Sequence, residues 1–158
     1  VLALKRAWPH CGLLVVAMAA EGGVYLVSTY VISRQRPAVP RLEDLIVADS
    51  YPSGHTAAAM ALYGSLCVIL WSLTKNRAWR ALFLALAVVG PLIVGTSRVY
   101  RGMHNPTDVM CGLLIGAGCV VVGHVAVRAG LSAARNRAEK RTDDVAASSR
   151  RQLVRGVV

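Results

Sequence analysis

Four long apolar runs most constrain what this chain can fold into, and they cover about residues 11–32, 55–73, 81–96 and 107–127. An α-helix rises about 1.5 Å per residue, so a run of about 20 apolar residues crosses the ~30 Å hydrocarbon layer of a bilayer. The composition agrees, because 55% of the 158 residues are hydrophobic and the mean hydropathy is +0.50. The sequence therefore predicts an all-α fold, an integral-membrane helical bundle with four transmembrane helices.

The last part of the chain differs in composition from these runs. Residues 131–158 are polar, mixed in charge and rich in Arg, which is typical of a solvated, disordered segment that can touch anionic lipid headgroups. We therefore expect one transmembrane domain over residues 1–130, followed by a basic, disordered tail over residues 131–158.

The distribution of Lys and Arg predicts the orientation in the membrane. Four spans place the N-terminus, the turn at 75–80 and the tail on one side, and the two remaining loops on the other. The first side holds most of the 18 Lys and Arg residues, so the positive-inside rule makes it cytoplasmic. Five arginines lie on the extracytoplasmic side, namely Arg34, Arg36, Arg41, Arg98 and Arg101. An anionic substrate would explain them.

The net charge of +10 would suggest a nucleic-acid ligand if the chain were soluble. Here the basic residues lie between and after apolar runs, where topology explains them. Aromatic residues make up 6% of the chain and are too scattered to form a platform on which bases stack. We expect membrane lipids and no nucleic acid as partners, and the sequence leaves the oligomeric state open.

The loop before the fourth run carries a pattern suited to chemistry. His104 is followed four residues later by Asp108, and Asn105-Pro106 between them favours the start of a helix. Asp108 then lies in the first helical turn, where it can cap free amides and also reach back toward His104. A histidine oriented by a carboxylate can act as a nucleophile or a base. The alternative is a polar loop between two spans, capped by an ordinary Asp.

A second pattern, Pro52-Ser53-Gly54-His55, stands directly before the second run. Ser53 fits a helix N-cap, and Gly54 lets the backbone approach a ligand closely. The free amides at such a helix start can hold a phosphate, with His55 at the rim to give a proton to a departing oxygen. The alternative is an ordinary capped helix with an interfacial histidine.

One acidic residue interrupts the first run. Glu21 is followed by Gly22-Gly23. An intramembrane carboxylate usually faces the bundle interior or a polar cavity, so Glu21 either lies inside the bundle or marks a break in the helix.

Three motifs occur in order along the chain: Arg36-Pro37, then Pro52-Ser53-Gly54-His55, then Ser97-Arg98 followed by His104 and Asp108. Together they resemble the three-part signature of the type 2 phosphatidic acid phosphatases (PAP2). This superfamily also holds bacterial acid phosphatases and vanadium haloperoxidases. The resemblance covers about residues 29–108, and the second and third motifs match it fully.

The resemblance implies a role for each matching residue. His104 would be the nucleophile that forms a phosphohistidine, and Asp108 would hold its imidazole. His55 would be the general acid for the leaving alcohol and then the base for the attacking water. The phosphoryl oxygens would be held by Arg36, Arg98 and the backbone of Ser53 and Gly54. No metal or other cofactor is implied.

The first motif departs from the family pattern. The family has a Lys seven residues before the arginine of the Arg-Pro pair, and this chain has Thr29 there. Thr29 can donate one hydrogen bond to a phosphate but brings no charge, so either Arg34 or Arg41 compensates or the affinity for phosphate is reduced. Membrane members of the family typically have six spans with the signature on the last four. The four spans seen here leave open whether two upstream helices are missing.

The sequence thus predicts a metal-independent lipid phosphatase of the membrane, with its site on the extracytoplasmic face. Its substrate would be a phosphate monoester or pyrophosphate of a lipid. The alternative is a degenerate, non-catalytic protein that binds phospholipid or phosphate, because Thr29 replaces the family Lys. A haloperoxidase is the third candidate, and the membrane-type composition disfavours it.

Overall fold

The computed structural model of the protein describes residues 2–40, 42 and 49–155, with side chains from residue 8 to residue 144 within those ranges. Over these described residues it contains four helices, which are α1 (Leu2–Val31), α2 (Gly54–Leu73), α3 (Arg77–Tyr100) and α4 (Pro106–Arg155). Each helix includes a stretch that is long and apolar enough to cross a membrane. The predicted all-α bundle with four spans is confirmed.

Helices α1, α2 and α4 pack on one another, whereas α3 packs mainly on α2 and touches α4 only slightly. The interior is lined with small side chains such as Ala17, Ala57 and Ala61, all fully buried. Small residues let helix backbones approach closely, which replaces the hydrophobic driving force that is absent between helices in lipid.

The fourth apolar run contains Gly112, Gly116 and Gly118, which we expect to pack closely against a neighbouring helix, and two of the three do so. A Cβ at Gly112 would lie 2.7 Å from the Ser53 carbonyl oxygen, and one at Gly116 would collide with the Ala57 carbonyl oxygen. Helices α2 and α4 are therefore parallel, and their N-terminal ends meet. Gly118 has no atom within 4 Å of its Cβ position, so the packing role predicted for it is wrong.

Helix α1 continues unbroken through Gly22-Gly23 to Val31. Glu21 is only 6% exposed and lies inside the bundle. Of the two alternatives for this residue, the interior position is confirmed and the helix break is wrong.

Helix α4 does not end at the membrane but runs on to Arg155. The prediction of a disordered tail is therefore wrong for residues 131–155. This segment contains neither Gly nor Pro and is rich in the helix formers Ala and Arg. An ion pair one turn apart, Arg135–Glu139 at 3.1 Å, adds a small stabilisation. Its described side chains, to residue 144, are exposed, so local propensity rather than packing maintains the helix.

Candidate active site

The residues of the three motifs meet at one end of the bundle, where α3 ends and α2 and α4 begin. A five-residue turn at 101–105 joins α3 to α4. Within this turn Gly102 adopts a positive φ of 69°, which suits glycine, and the amide of Met103 donates to the carbonyl of Arg98 at 3.1 Å. The turn therefore places Arg98 and His104 close to each other.

Helix α4 starts as the sequence predicts, at Pro106. The Asp108 carboxylate accepts the backbone N–H of Asn105 at 2.8 Å, the backward half of a capping box. Asp108 is fully buried. The predicted helix start and the capping role of Asp108 are confirmed.

His104 is held by a backbone carbonyl rather than by a carboxylate. Its Nδ1 lies 2.6 Å from the carbonyl oxygen of Ser50, and its side chain is buried. A carbonyl can only accept, so Nδ1 carries the proton and Nε2 keeps its lone pair. Nε2 is the atom a nucleophilic histidine would use.

The expectation that Asp108 directly holds the imidazole of His104 is wrong. The carboxylate oxygens of Asp108 are instead occupied by the Arg34 guanidinium at 2.6 Å, the Ser50 hydroxyl and the Asn105 amide. Asp108 is therefore connected to His104 only indirectly, by hydrogen bonds through Ser50. Its negative charge also acts on the imidazole.

The electrostatic environment favours the neutral form of His104. Burial, the largest influence, lowers its pKa, and the charges of Arg36 and Arg98 lower it further. The hydrogen bond to the Ser50 carbonyl and the charge of Asp108 act in the opposite direction without cancelling this effect. A neutral imidazole with a free Nε2 lone pair is the reactive form of a nucleophile.

Arg36 is held by two backbone carbonyls close to His104. One Nη atom donates to the carbonyl of Met103, and the other donates to the carbonyl of Asp49 at 2.8 Å. These carbonyls belong to the chain neighbours of His104 and Ser50. The guanidinium of Arg36 is thus fixed close to His104, and its charge acts on the imidazole.

Arg98 connects the two histidines. Its Nη2 lies 2.7 Å from Nε2 of His55, which is exposed at the start of α2, and its charge also acts on His104. A guanidinium only donates, so Nε2 of His55 accepts. The predicted residues His55, Arg98 and His104 therefore belong to one site.

Ser53 occupies the N-cap position of α2, but its side chain does not cap the helix. Its hydroxyl is paired with that of Thr56 at 2.9 Å, and its amide donates to the carbonyl of Asp108 at 3.1 Å. The amide of Ser53 is therefore not free for a phosphate, contrary to the prediction. The amides of the first turn, from Gly54 onward, have no acceptor within the helix and remain suited to an anion.

Helix packing requires a glycine at position 54, in addition to the predicted close approach of a ligand there. A Cβ at this position would lie 2.7 Å from the ring of Tyr25 on α1. The absence of a side chain lets α1 pack over the first turn of α2.

Thr29, the residue that departs from the family pattern, is not hydrogen-bonded to the other site residues. Its hydroxyl donates to backbone carbonyls of its own helix, at 2.9 Å to Leu26 and 3.1 Å to Tyr25. Of the two arginines expected to compensate, Arg34 is paired with Asp108, and Arg41 lies outside the described residues.

Ser50 was missed by the sequence analysis, although it is fully buried and bonds to both His104 and Asp108. Its only local signal is its position directly before Tyr51-Pro52, which carries no chemistry by itself. Among the described residues, no group of three or more His, Cys, Asp or Glu side chains is placed to hold a metal ion.

A model of the PAP2 superfamily matches residues 11–130, which include every site residue described above. Lipid A 1-phosphatase of Porphyromonas gingivalis is 33% identical over 115 residues, which are 70% of this chain and 21% of that protein. Undecaprenyl-diphosphatase of Sulfolobus acidocaldarius is 34% identical over 96 residues, which are 58% of this chain and 42% of that protein. The chain therefore matches less than half the length of either relative.

The fold is also similar to a solved structure, that of a transmembrane PAP2-type phosphatidylglycerolphosphate phosphatase from Bacillus subtilis. The TM-score is 0.56 at 25% identity, over 76% of this chain and 58% of that one. Together with the four apolar helices, this similarity makes the chain a multi-pass membrane protein.

Proposed function

Because the chain belongs to the PAP2 superfamily, we propose that it is a membrane lipid phosphatase that works through a phosphohistidine. The observation that carries the proposal is the state of His104, which is buried, protonated at Nδ1 by its bond to Ser50 and left with a free Nε2 lone pair. An ordinary loop histidine between two spans would have no need for this arrangement.

In the first step of the proposed reaction, Nε2 of His104 attacks phosphorus and the bond from phosphorus to the leaving oxygen breaks. His55, once it has taken up a proton on Nε2, gives that proton to the leaving oxygen, so the alcohol or lipid phosphate leaves protonated at that oxygen. In the second step, His55 takes a proton from water as the water attacks the phosphohistidine. Inorganic phosphate is released, and both histidines return to their starting states.

Charge that gathers on the phosphoryl oxygens is stabilised by preorganised donors. The charges of Arg36 and Arg98 both act on His104, and the first-turn amides of α2 begin at Gly54. The site needs no metal for this scheme, since two guanidiniums and a helix N-terminus supply the positive charge.

We propose a phosphate monoester or pyrophosphate of a lipid as the substrate class. The relatives above are named for lipid A, undecaprenyl diphosphate and phosphatidylglycerolphosphate, which share a phosphate group on an amphiphile. Phosphatidic acid, phosphatidylglycerol phosphate and a polyprenyl pyrophosphate are the candidates to compare.

We propose that the site faces the extracytoplasmic side and the end of α4 the cytoplasm, following the distribution of Lys and Arg. Single cysteines introduced at Gln35 and at Ser132 in a cysteine-free background test this with a membrane-impermeant thiol reagent. In intact cells the first should react and the second should react only after lysis. The reverse pattern would place phosphate release inside the cell.

A non-catalytic phosphate-binding protein is the second candidate function. It is favoured by one observation, that neither Thr29 nor Arg34 replaces the cation of the family Lys, since one is bonded to its own helix and the other to Asp108. Such a protein would bind lipid phosphates but release no phosphate from them.

The test is release of inorganic phosphate from the three candidate lipids by protein purified in detergent. The wild type should release phosphate, orthovanadate should inhibit by mimicking the five-coordinate phosphoryl group, and EDTA should have little effect. His104→Ala should abolish turnover. Binding without release would support the second function, and a loss on chelation restored by Mg²⁺ or Zn²⁺ would move the reaction to a metal-assisted class.

A further inference from the structure

Ser50 uses all three of its polar groups to join segments that are far apart in the sequence. Its amide donates to the carbonyl of Arg34 at 2.8 Å, and its carbonyl accepts from Nδ1 of His104 at 2.6 Å. Its hydroxyl donates to Oδ2 of Asp108. Ser50 is fully buried, so these bonds are shielded from competition with water.

Arg34 closes the same network from the other side of the carboxylate. Its Nη1 lies 2.6 Å from Oδ1 of Asp108 and 2.7 Å from the hydroxyl of Thr107. Asp108 is fully buried, whereas the side chain of Arg34 is 40% exposed. Without this guanidinium, the buried negative charge would have no cationic partner among the described residues, which is costly.

We propose that Ser50 and Arg34 are positioning residues for the nucleophile: together they fix the Asp108 carboxylate, and the Ser50 carbonyl fixes the imidazole of His104 with its proton on Nδ1. The inference rests on the proposed function, in which Nε2 of His104 attacks phosphorus. Neither residue has to touch the substrate. Their effect is on the direction and protonation of an atom that does.

A different role for Arg34 is the main competitor. The chain has Thr29 where the family has a Lys, and Arg34 is a cation of the same loop region. If Arg34 held the phosphate in place of that Lys, it would contribute to substrate binding. The geometry favours a role in positioning Asp108, because the Arg34 guanidinium donates hydrogen bonds to Asp108 and Thr107.

The two roles differ in steady-state kinetics. Ser50→Ala should lower kcat about 10-fold and Arg34→Ala about 10- to 100-fold, the range expected for losing one neutral or one charge-assisted hydrogen bond. KM for a short-chain phosphatidic acid should change less than about twofold in both, because positioning acts after binding. Ser50→Thr should restore most of the rate, since it keeps the hydroxyl. A rise in KM with kcat unchanged in Arg34→Ala would overturn the proposal and make Arg34 a phosphate ligand.

Ser33→Ala is the matched control. The Ser33 hydroxyl donates to the carboxylate of Asp49 at 2.8 Å, so it joins the same two loop segments without touching Asp108. Its removal should leave kcat within about twofold of wild type. A loss as large as that of Ser50→Ala would show that general loop pairing, not the bond to Asp108, sets the rate.

An NMR measurement tests the same inference and does not require turnover. An inactive wild type would contradict the proposed function, but this measurement could still be made. In detergent, ¹⁵N-histidine spectra assigned with His104→Ala should show neutral His104 protonated at Nδ1. The charged groups that act on His104 are Arg36 from the loop, Arg98 from α3 and Asp108 from α4.

Arg34→Gln should raise the pKa of His104, because the charge of Asp108 would then act on it without its counter-charge. Arg34→Lys, which keeps a cation, should shift the pKa less. Protonation at Nε2 in the wild type, or the same pKa in wild type and Arg34→Gln, would overturn the proposal.

Discussion

Arg98 donates to Nε2 of His55 over 2.7 Å, so the guanidinium occupies the nitrogen that a general acid must keep protonated. A phosphate dianion is a stronger acceptor for a guanidinium than a neutral imidazole is. Substrate binding should therefore draw Arg98 onto the phosphoryl oxygens and leave Nε2 of His55 free to take a proton. In this scheme, substrate binding allows the general acid His55 to become protonated.

The leaving group decides how much His55 matters. His55→Ala should reduce turnover of a lipid phosphate by about 100-fold or more, the usual range for general acid catalysis. It should reduce turnover of p-nitrophenyl phosphate much less, because that leaving group departs without protonation. His124→Ala, at the far end of the bundle, is the control and should affect neither substrate. Equal losses for both substrates would argue against His55 as the acid.

The pH dependence should report the lowered pKa of His104. The nucleophile is active when neutral, so kcat/KM should fall as the pH drops through the pKa of His104. Because burial lowers that pKa, the acid limb should lie below the ordinary histidine value of about 6.5. The second ionisation of the substrate phosphate is measured by ³¹P NMR, and its contribution to the pH dependence of kcat/KM is removed. An acid limb at or above the ordinary value would contradict the environment described for His104.

Thr29→Lys should increase the affinity of the site for phosphate. Thr29 lies one helical turn beyond Tyr25, which covers Gly54, so a long side chain at 29 extends from the same face toward the site. We expect lipid phosphatase activity to be kept or raised, and the Ki of vanadate to fall about 5- to 30-fold, the equivalent of about 1–2 kcal/mol.

Tyr30→Lys is the matched control for charge, because residue 30 is 93% exposed and lies on another face of α1. It should leave vanadate inhibition unchanged. If Thr29→Lys folds but loses activity, the added cation conflicts with a group already in place. Turnover gained only in Thr29→Lys, from an inactive wild type, would favour the non-catalytic function.

Packing between α2 and α4 predicts a contrast between two neighbouring glycines. Gly116→Ala would drive a methyl group into the Ala57 carbonyl, whereas Gly118→Ala would meet open space. Gly116→Ala should destabilise the fold by about 1–3 kcal/mol, a typical cost of overpacking. Gly118→Ala should be neutral or slightly stabilising. The unfolding midpoint in detergent, followed by circular dichroism, checks both, and equal midpoints would contradict the packing described here.

The features that the sequence predicted correctly are local ones. Span lengths follow from runs of apolar residues, and the start of α4 follows from Asn105-Pro106 and an Asp in the first turn. The tail shows the limit of composition as a guide. Its polarity suggested disorder, while the helix propensity of its Ala and Arg residues favours the helix that the structure shows.

The partner of Asp108 could not be predicted in the same way. Asn105, close in sequence, is one partner of its carboxylate, but His104 is not, and the other two partners, Ser50 and Arg34, lie much further away in sequence. Which residues pair with Asp108 depends on where residues 34 and 50 lie relative to the start of α4. A pattern of residue types and spacings does not carry that information.

The short turn at 101–105 has a consequence for how the chain can vary in length. It joins Arg98 at the end of α3 to His104 directly before α4, so their separation is set by covalent connection and changes little if the two helices tilt. An inserted residue in this turn would move Arg98 relative to His104. The turn at 74–76 lies at the opposite end of the bundle, where an insertion leaves both residues in place. Length variation should therefore be tolerated at one end of α3 and excluded at the other.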